Sequence, residues 1–200
     1  MSPADVYTYR IDGGDSIVFV SDLWCEFAVR NDAPELTAKR VLDRSLWDFL
    51  AGPETLRLYR EIFARVRRTG KAVTIPFRCD APAVRRYMQL DIQPRDGYQL
   101  QFTGRILGQE PRPLVPLLER HAARSQTLLR MCSWCKRVAV PANQWLETEE
   151  AIVRLGLIDT PTLPQLTHTV CDTCRAGLSA GGNREDSGLL APVEWPSKQR

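Results

Sequence analysis

The chain has 200 residues, 44% of them hydrophobic, and 27 Lys/Arg against 24 Asp/Glu leave a formal charge of +3. That length suits one or two domains with room for a buried core, and so slight a basic excess does not announce a nucleic-acid binder. The sequence contains no apolar run of about 20 residues that could span a bilayer, and Met1-Ser2-Pro3-Ala4-Asp5 lacks the basic-then-apolar order of a secretory signal. A cytoplasmic protein with reduced thiols is therefore expected, in which paired cysteines point to metal rather than to disulfides.

In chain order, Val6–Ile11 and residues 16–20 are β-branched and aromatic runs around Asp12-Gly13-Gly14-Asp15. They read as a hairpin whose glycines supply the positive φ of a tight turn. Ser21 or Asp22 caps a helix through about residue 29, with Leu23, Trp24, Phe27 and Ala28 on one face. Short helical stretches follow at 35–40 and 45–50. Gly52-Pro53 then opens the strongest helix, 54–69, where Leu56, Tyr59, Ile62, Phe63 and Val66 recur at helical spacing and Gly70 stands past the end. After Gly70 the period changes to two. Strands are predicted at 73–79, 84–92 and 98–106, separated by turns at Asp80-Ala81-Pro82 and Arg95-Asp96-Gly97. Thr74, Arg78, Gln89, Gln99 and Gln101 fall on a polar second face, the mark of an antiparallel sheet that is solvated or meets a partner on one side. Two strands, a group of helices and three strands make an α+β domain over residues 5–107.

Residues 108–130 read as a Pro-rich, basic linker, with Pro111, Pro113 and Pro116 stiffening its start and a basic helix expected over 114–130. Next come Cys132-Ser133-Trp134-Cys135 and Cys171-Asp172-Thr173-Cys174. Each C-x-x-C aims two sulfurs at one point, and two pairs complete a closed tetrahedral shell. The expected occupant is a structural Zn2+ held by Cys132, Cys135, Cys171 and Cys174, with no coordination position open to substrate. His168 is the reserve ligand. A helix is expected within 145–157 and a short final one at 172–178, so a knuckle turn is answered by a helix-borne pair, the plan of treble-clef-like zinc modules. Residues 131–178 form this module, and 179–200 read from composition as a disordered tail.

The order of elements resembles that of PAS domains, and Val41-Leu42-Asp43-Arg44-Ser45-Leu46-Trp47-Asp48-Phe49 resembles a segment found there, with Asp43 in place of the usual glycine. Residues 20–107 with the cysteine module look like a group of small bacterial PAS-like proteins. These share the Arg78-Cys79-Asp80-x-Pro82 turn and Met131-Cys132-Ser133-Trp134-Cys135-Lys136 before a second cysteine pair. The resemblance implies a PAS-like five-stranded antiparallel sheet with helices, and a sensory or regulatory role without a reaction.

His121 and His168 both lie outside residues 1–107, so the first domain has no histidine to ligate a haem. Cys25 and Cys79 read as small buried hydrophobes, and Trp24, Phe27, Trp47, Phe63, Phe77 and Phe102 as a packed core; any small-molecule cofactor residues are unknown at this level. Nucleophile elbows, phosphate-cradling loops and paired histidines are missing from the sequence. The chain is therefore expected to be no enzyme but a signalling protein, whose first domain senses a ligand or partner and whose zinc module meets a protein partner, with a homodimer plausible. Two alternatives stand beside it. Arg120, Arg124, Arg130, Lys136 and Arg137, ending on Trp134, form a basic strip suited to phosphates. Cys171 and Cys174 at a helix start suit a thiol oxidoreductase.

Overall fold

A computed structural model describes residues 5–180; the tail from residue 181 lies outside the described residues. Strands β1 (Val6–Ile11) and β2 (Ile17–Val20) pair antiparallel. The turn between them departs from the glycine reading, because Asp15 and neither glycine takes the left-handed φ, +66°. Asp12 makes this possible: its Oδ1 accepts from the Gly14 and Ser16 N–H groups, both at 2.9 Å. Arg67 then clamps the turn, donating to the Asp12 carbonyl and Asp15 Oδ1, both at 2.8 Å.

Ser21 caps α1 (Asp22–Arg30), accepting from the Trp24 N–H. After α2 (Ala38–Val41), Ser45 caps a 3-10 turn at Leu46–Phe49 in the same way. Helix α3 (Pro53–Thr69) starts on proline and ends on Gly70 at φ +66°. It buries Leu58, Ile62, Phe63 and Val66 against the sheet. A meander of β3 (Val73–Arg78), β4 (Val84–Pro94) and β5 (Leu100–Pro111) completes an antiparallel sheet in the order β2-β1-β5-β4-β3. Its inner face carries Val73, Ile75, Leu90, Ile92, Leu100 and Phe102, all buried. Between sheet and helices the space is filled by rings: Tyr9 stacks on Phe102 at 4.4 Å, Phe63 meets Phe102 edge-on at 5.2 Å, and Trp47 leans on Phe63 at 5.4 Å. The mixed architecture and this five-stranded sheet are consistent with a PAS-like fold.

Beyond Pro111 the structure differs from the helix expected at 114–130. A 3-10 turn at Pro116–Leu118 leads into a strand, β6 (Arg124–Cys132). It is the hub of a second sheet, ordered β8-β7-β6-β9, with β7 (Val138–Val140), β8 (Gln144–Leu146) and β9 (Leu163–Thr169). β9 runs parallel to β6, so pairing remote in sequence satisfies the backbone that a helix would otherwise have satisfied. α4 (Thr148–Arg154) packs on this sheet, and α5 (Asp172–Ala180) follows β9. Val115 and Leu117, 2% and 0% exposed, enter a second core with Met131, Val138, Ala151 and Leu163.

The two sheets meet where α3 begins. Gly52 holds φ +91°, and a β-carbon there would fall onto the carbonyl oxygen of His168 in β9. Gly70, also at positive φ, has open space around it. Gly70→Ala should therefore cost about 1 kcal/mol, the left-handed penalty alone. Gly52→Ala should cost about 3 kcal/mol, because overpacking adds to it. Urea denaturation of both variants checks the difference, and equal losses would show that the close approach carries no energy.

Candidate metal centre

The first pair sits where β6 turns toward β7. Cys132 donates its N–H to the Arg137 carbonyl at 2.8 Å, and the Lys136 N–H returns to the Cys132 carbonyl at 3.1 Å. Lys136 closes the knuckle at φ +61°. The second pair straddles the start of α5: Cys171 precedes it, with the Arg175 N–H bonded to its carbonyl at 2.9 Å, and Cys174 lies in the first turn. The parallel β6/β9 register sets Cys132 opposite Thr169, which carries the second pair to the first.

All four thiols are buried, between 0% and 5% exposed. Their sulfurs lie within 4.8 Å of one another, an arrangement that can hold a metal ion. Cys135 Sγ and Cys171 Sγ are 3.7 Å apart, close to the ~3.8 Å edge of a tetrahedron with metal–sulfur bonds of about 2.3 Å. The Cys171 N–H approaches Cys132 Sγ at 3.4 Å, a donor suited to a thiolate. Contacts from Cys135, Cys171 and Cys174 pull Cys132 far below the ordinary thiol range. Contacts with Cys132 push Cys135 and Cys174 up. Crowded sulfurs cannot all ionise unless a cation offsets their repulsion, so the donor set fits a cation that accepts four thiolates. His168 is not part of the group. Burial, and after it Lys136, holds its imidazole below the usual range.

Both limbs of the centre dock on α3 and the end of β3. Thr55 and Ser133 share a hydrogen bond of 2.7 Å, and Tyr59 stacks on the buried Trp134 at 5.3 Å. The Arg78 N–H donates to the Trp134 carbonyl at 2.7 Å. Glu54 accepts from the Thr169 hydroxyl and lies 3.7 Å from Arg175. The four cysteines therefore belong to the same apolar core as Phe63 and Phe102.

Around this junction lies an ion network whose geometry the sequence did not reveal. Arg78, placed by alternation on the solvated sheet face, is 2% exposed. It pairs with Asp80 and, at 2.5 Å, with Glu147 from the start of α4. Arg112 links Asp80 to Glu149, at 3.1 and 3.2 Å, and Arg85 joins Glu149 at 2.9 Å. Arg85 here and Arg67 at the first hairpin are thus ordered by partners. Only the Arg78-Cys79-Asp80 turn hinted at the network. On the outer sheet face Asp91, 8% exposed, accepts from Thr74 at 2.7 Å and Gln89 at 2.9 Å and pairs with Arg105.

The basic strip is largely committed inside the molecule. Arg124 donates to the carbonyls of Leu117, Glu119 and Pro164, Arg120 pairs with Glu35, and Arg137 with Glu147. Trp134 is 3% exposed. Cys25 and Cys79 are only partly buried. Among the described residues, no helix is long and apolar enough to cross a membrane.

Neither a protein-family model nor a curated protein sequence matches the chain. The PAS domain of the Cronobacter turicensis RpfR quorum-sensing receptor, solved in complex with C12:0 and with BDSF, is similar over 54% of this chain and 99% of its own. Identity is 13% and the TM-score 0.40 in both cases. A domain of an HTR-like protein from Haloarcula marismortui is similar over 52% of this chain and 100% of its own, at 15% identity and a TM-score of 0.38.

Two outcomes test the network. Arg78→Ala takes from Asp80 one of its two buried guanidinium partners and should cost about 3 kcal/mol, since Arg112 remains beside it. Arg57→Ala, which breaks the exposed pair with Glu61, should cost under about 1 kcal/mol in the same denaturation series. Burial raises the Glu147 carboxyl, but hydrogen bonds and charge from Arg78, Arg137 and Arg85 outweigh it and hold it below the usual value. A depressed carboxylate contributes stability at neutral pH that is lost as pH falls through its folded pKa, below about 4.3. Glu147→Gln should therefore flatten the acid limb of the stability profile in that range.

Proposed function

We propose that the chain is a non-catalytic signalling or regulatory protein in which a PAS-like domain senses a ligand or partner and a treble-clef-like module with a structural Zn2+ mediates output. The observation that carries this reading is the docking of the four-cysteine centre on the first turns of α3 and the end of β3. A change in the sheet domain reaches the centre through Thr55, Tyr59 and Arg78, with no loose tether between. The knuckle turn, the β7/β8 hairpin and the pair at the start of α5 support a treble-clef-like plan. Four sulfurs complete the zinc shell, so the ion organises structure and leaves no site for substrate. The aromatic filling between α3 and the sheet favours a protein partner over a buried small molecule. Residues 5–107 form the sensory unit and 131–178 the output module, in a cytoplasmic protein that forms a homodimer. The internal use of Arg120, Arg124 and Arg137 speaks against a phosphate-binding surface, and the buried, crowded sulfurs against a thiol oxidoreductase.

Zinc bound by such a shell is also folding free energy. Protein purified without added metal should carry close to one zinc per chain, and Cys171→Ser should lose it. Chelation should speed amide exchange in β7, β9 and α5, and also in the first turns of α3. Metal loss with α3 exchange unchanged would refute the coupling. Metal-free native protein with a redox-titrating Cys171/Cys174 pair would refute the zinc reading. Binding that vanishes on nuclease treatment and falls steeply with salt would replace the protein partner by nucleic acid.

A further inference from the structure

The second sheet carries a feature that the metal centre does not use. A groove of about 340 Å³ opens between residues 113–117, α4 with the residues after it, and Leu163. Leu114, Val153 and Ile158 stand on its rim, 61%, 65% and 64% exposed. Large apolar side chains gathered around one concavity mark an interaction surface, which the same side chains scattered singly would not. Glu150, Val153 and Arg154, all exposed, have the i, i+3, i+4 spacing that puts them on one face of α4. Glu150 and Arg154 pair with no charge among the described residues, not even with each other. The polar outer face of the first sheet, by contrast, satisfies itself. Asp91 accepts from Thr74 and Gln89 and pairs with Arg105, and Arg95 donates to Gln101 at 2.7 Å.

We propose that the groove is filled by a second copy of the chain, packed about a two-fold axis near the middle of α4, an assembly that rests on the homodimer proposed above and gives it a face. Charge selects this occupant. A partner of one sign would set like charge against either Glu150 or Arg154, whereas an identical chain brings both signs. With α4 antiparallel to its copy, Glu150 of each chain meets Arg154 of the other, so one axis makes two ion pairs.

Shape points the same way. The exposed face of α4 is a ridge beside the groove, and a ridge beside a groove is self-complementary under a two-fold axis. Val153 of each copy enters the groove of the other, where Leu114 and Ile158 close over it. Burial of these side chains supplies the affinity, and the ion pairs at the edge fix the register.

Sedimentation of the full chain over a wide range of concentration tests the contact. Val153→Asp should raise the dimer dissociation constant roughly tenfold. Leu114→Asp, on the opposite wall, should act alike, and circular dichroism should stay unchanged in both. Thr103→Arg, between Thr8 and Asp91 on the outer face of the first sheet, should leave association as it was. Glu150→Arg and Arg154→Glu should each weaken it roughly fivefold. An equimolar mixture of these two variants should recover it, because the unlike copies then oppose unlike charges at both contacts. Damage to α4 alone cannot produce that recovery. A chain that is monomeric at every concentration would overturn the homodimer and this face together. A dimer that survives Val153→Asp but is lost in Thr103→Arg, or a mixture no better than its components, would overturn this face and leave the homodimer standing.

Discussion

The structure turns on the convergence of four sulfurs that a chain of ordinary thiols would keep apart. Cys135 and Cys171 are 36 residues distant in sequence and 3.7 Å apart in space. Closing such a loop carries an entropic cost, and ionising the group adds mutual repulsion that only a cation can offset. The shell therefore fixes at one point the end of β6, the approach from β9 and the start of α5. Because it lies in the main core and not at an outer corner, it also fixes what rests on it: Trp134 against Tyr59, Ser133 against Thr55, and the end of β3.

The ion network is the second constraint, of a different kind. Removing Arg78, Asp80 and Arg112 from water costs more than an apolar contact would, and their mutual attraction only partly offsets that cost. Directionality is what such a network adds. Arg78 reaches Glu147 at 2.5 Å from one side while its own N–H holds the Trp134 carbonyl from the other. Few relative placements of the two sheets satisfy both. Glu149, shared by Arg85 and Arg112, extends the same geometry to the groove beside α4.

These contacts give the molecule continuity from the sheet to the cysteines. The rings of Phe102, Phe63, Tyr59 and Trp134 form an unbroken series of contacts across it. Packed interiors transmit displacement because they have little free volume, so such a series links the sheet mechanically to the sulfur shell. A shell of four protein donors would leave a bound metal no position open to substrate.

Much of this was legible in the residues. Helix α3 follows from a strong apolar period closed by proline and glycine, the meander from strict alternation, and the four-cysteine group from the spacing of its two pairs. Local chemistry decides such features, so the sequence carries them. Tertiary structure decided the rest. Residues 124–132 have no periodicity that forces a strand; β6 exists because β7 and β9 pair with it on either side. Arg78 alternates correctly onto the outer face and is buried all the same, because Glu147 and Trp134, remote in sequence, cover it. Gly52 signals a helix start, yet the need for glycine there comes from the His168 carbonyl. A one-dimensional pattern shows which way a side chain points, and only the packed chain decides what it meets there.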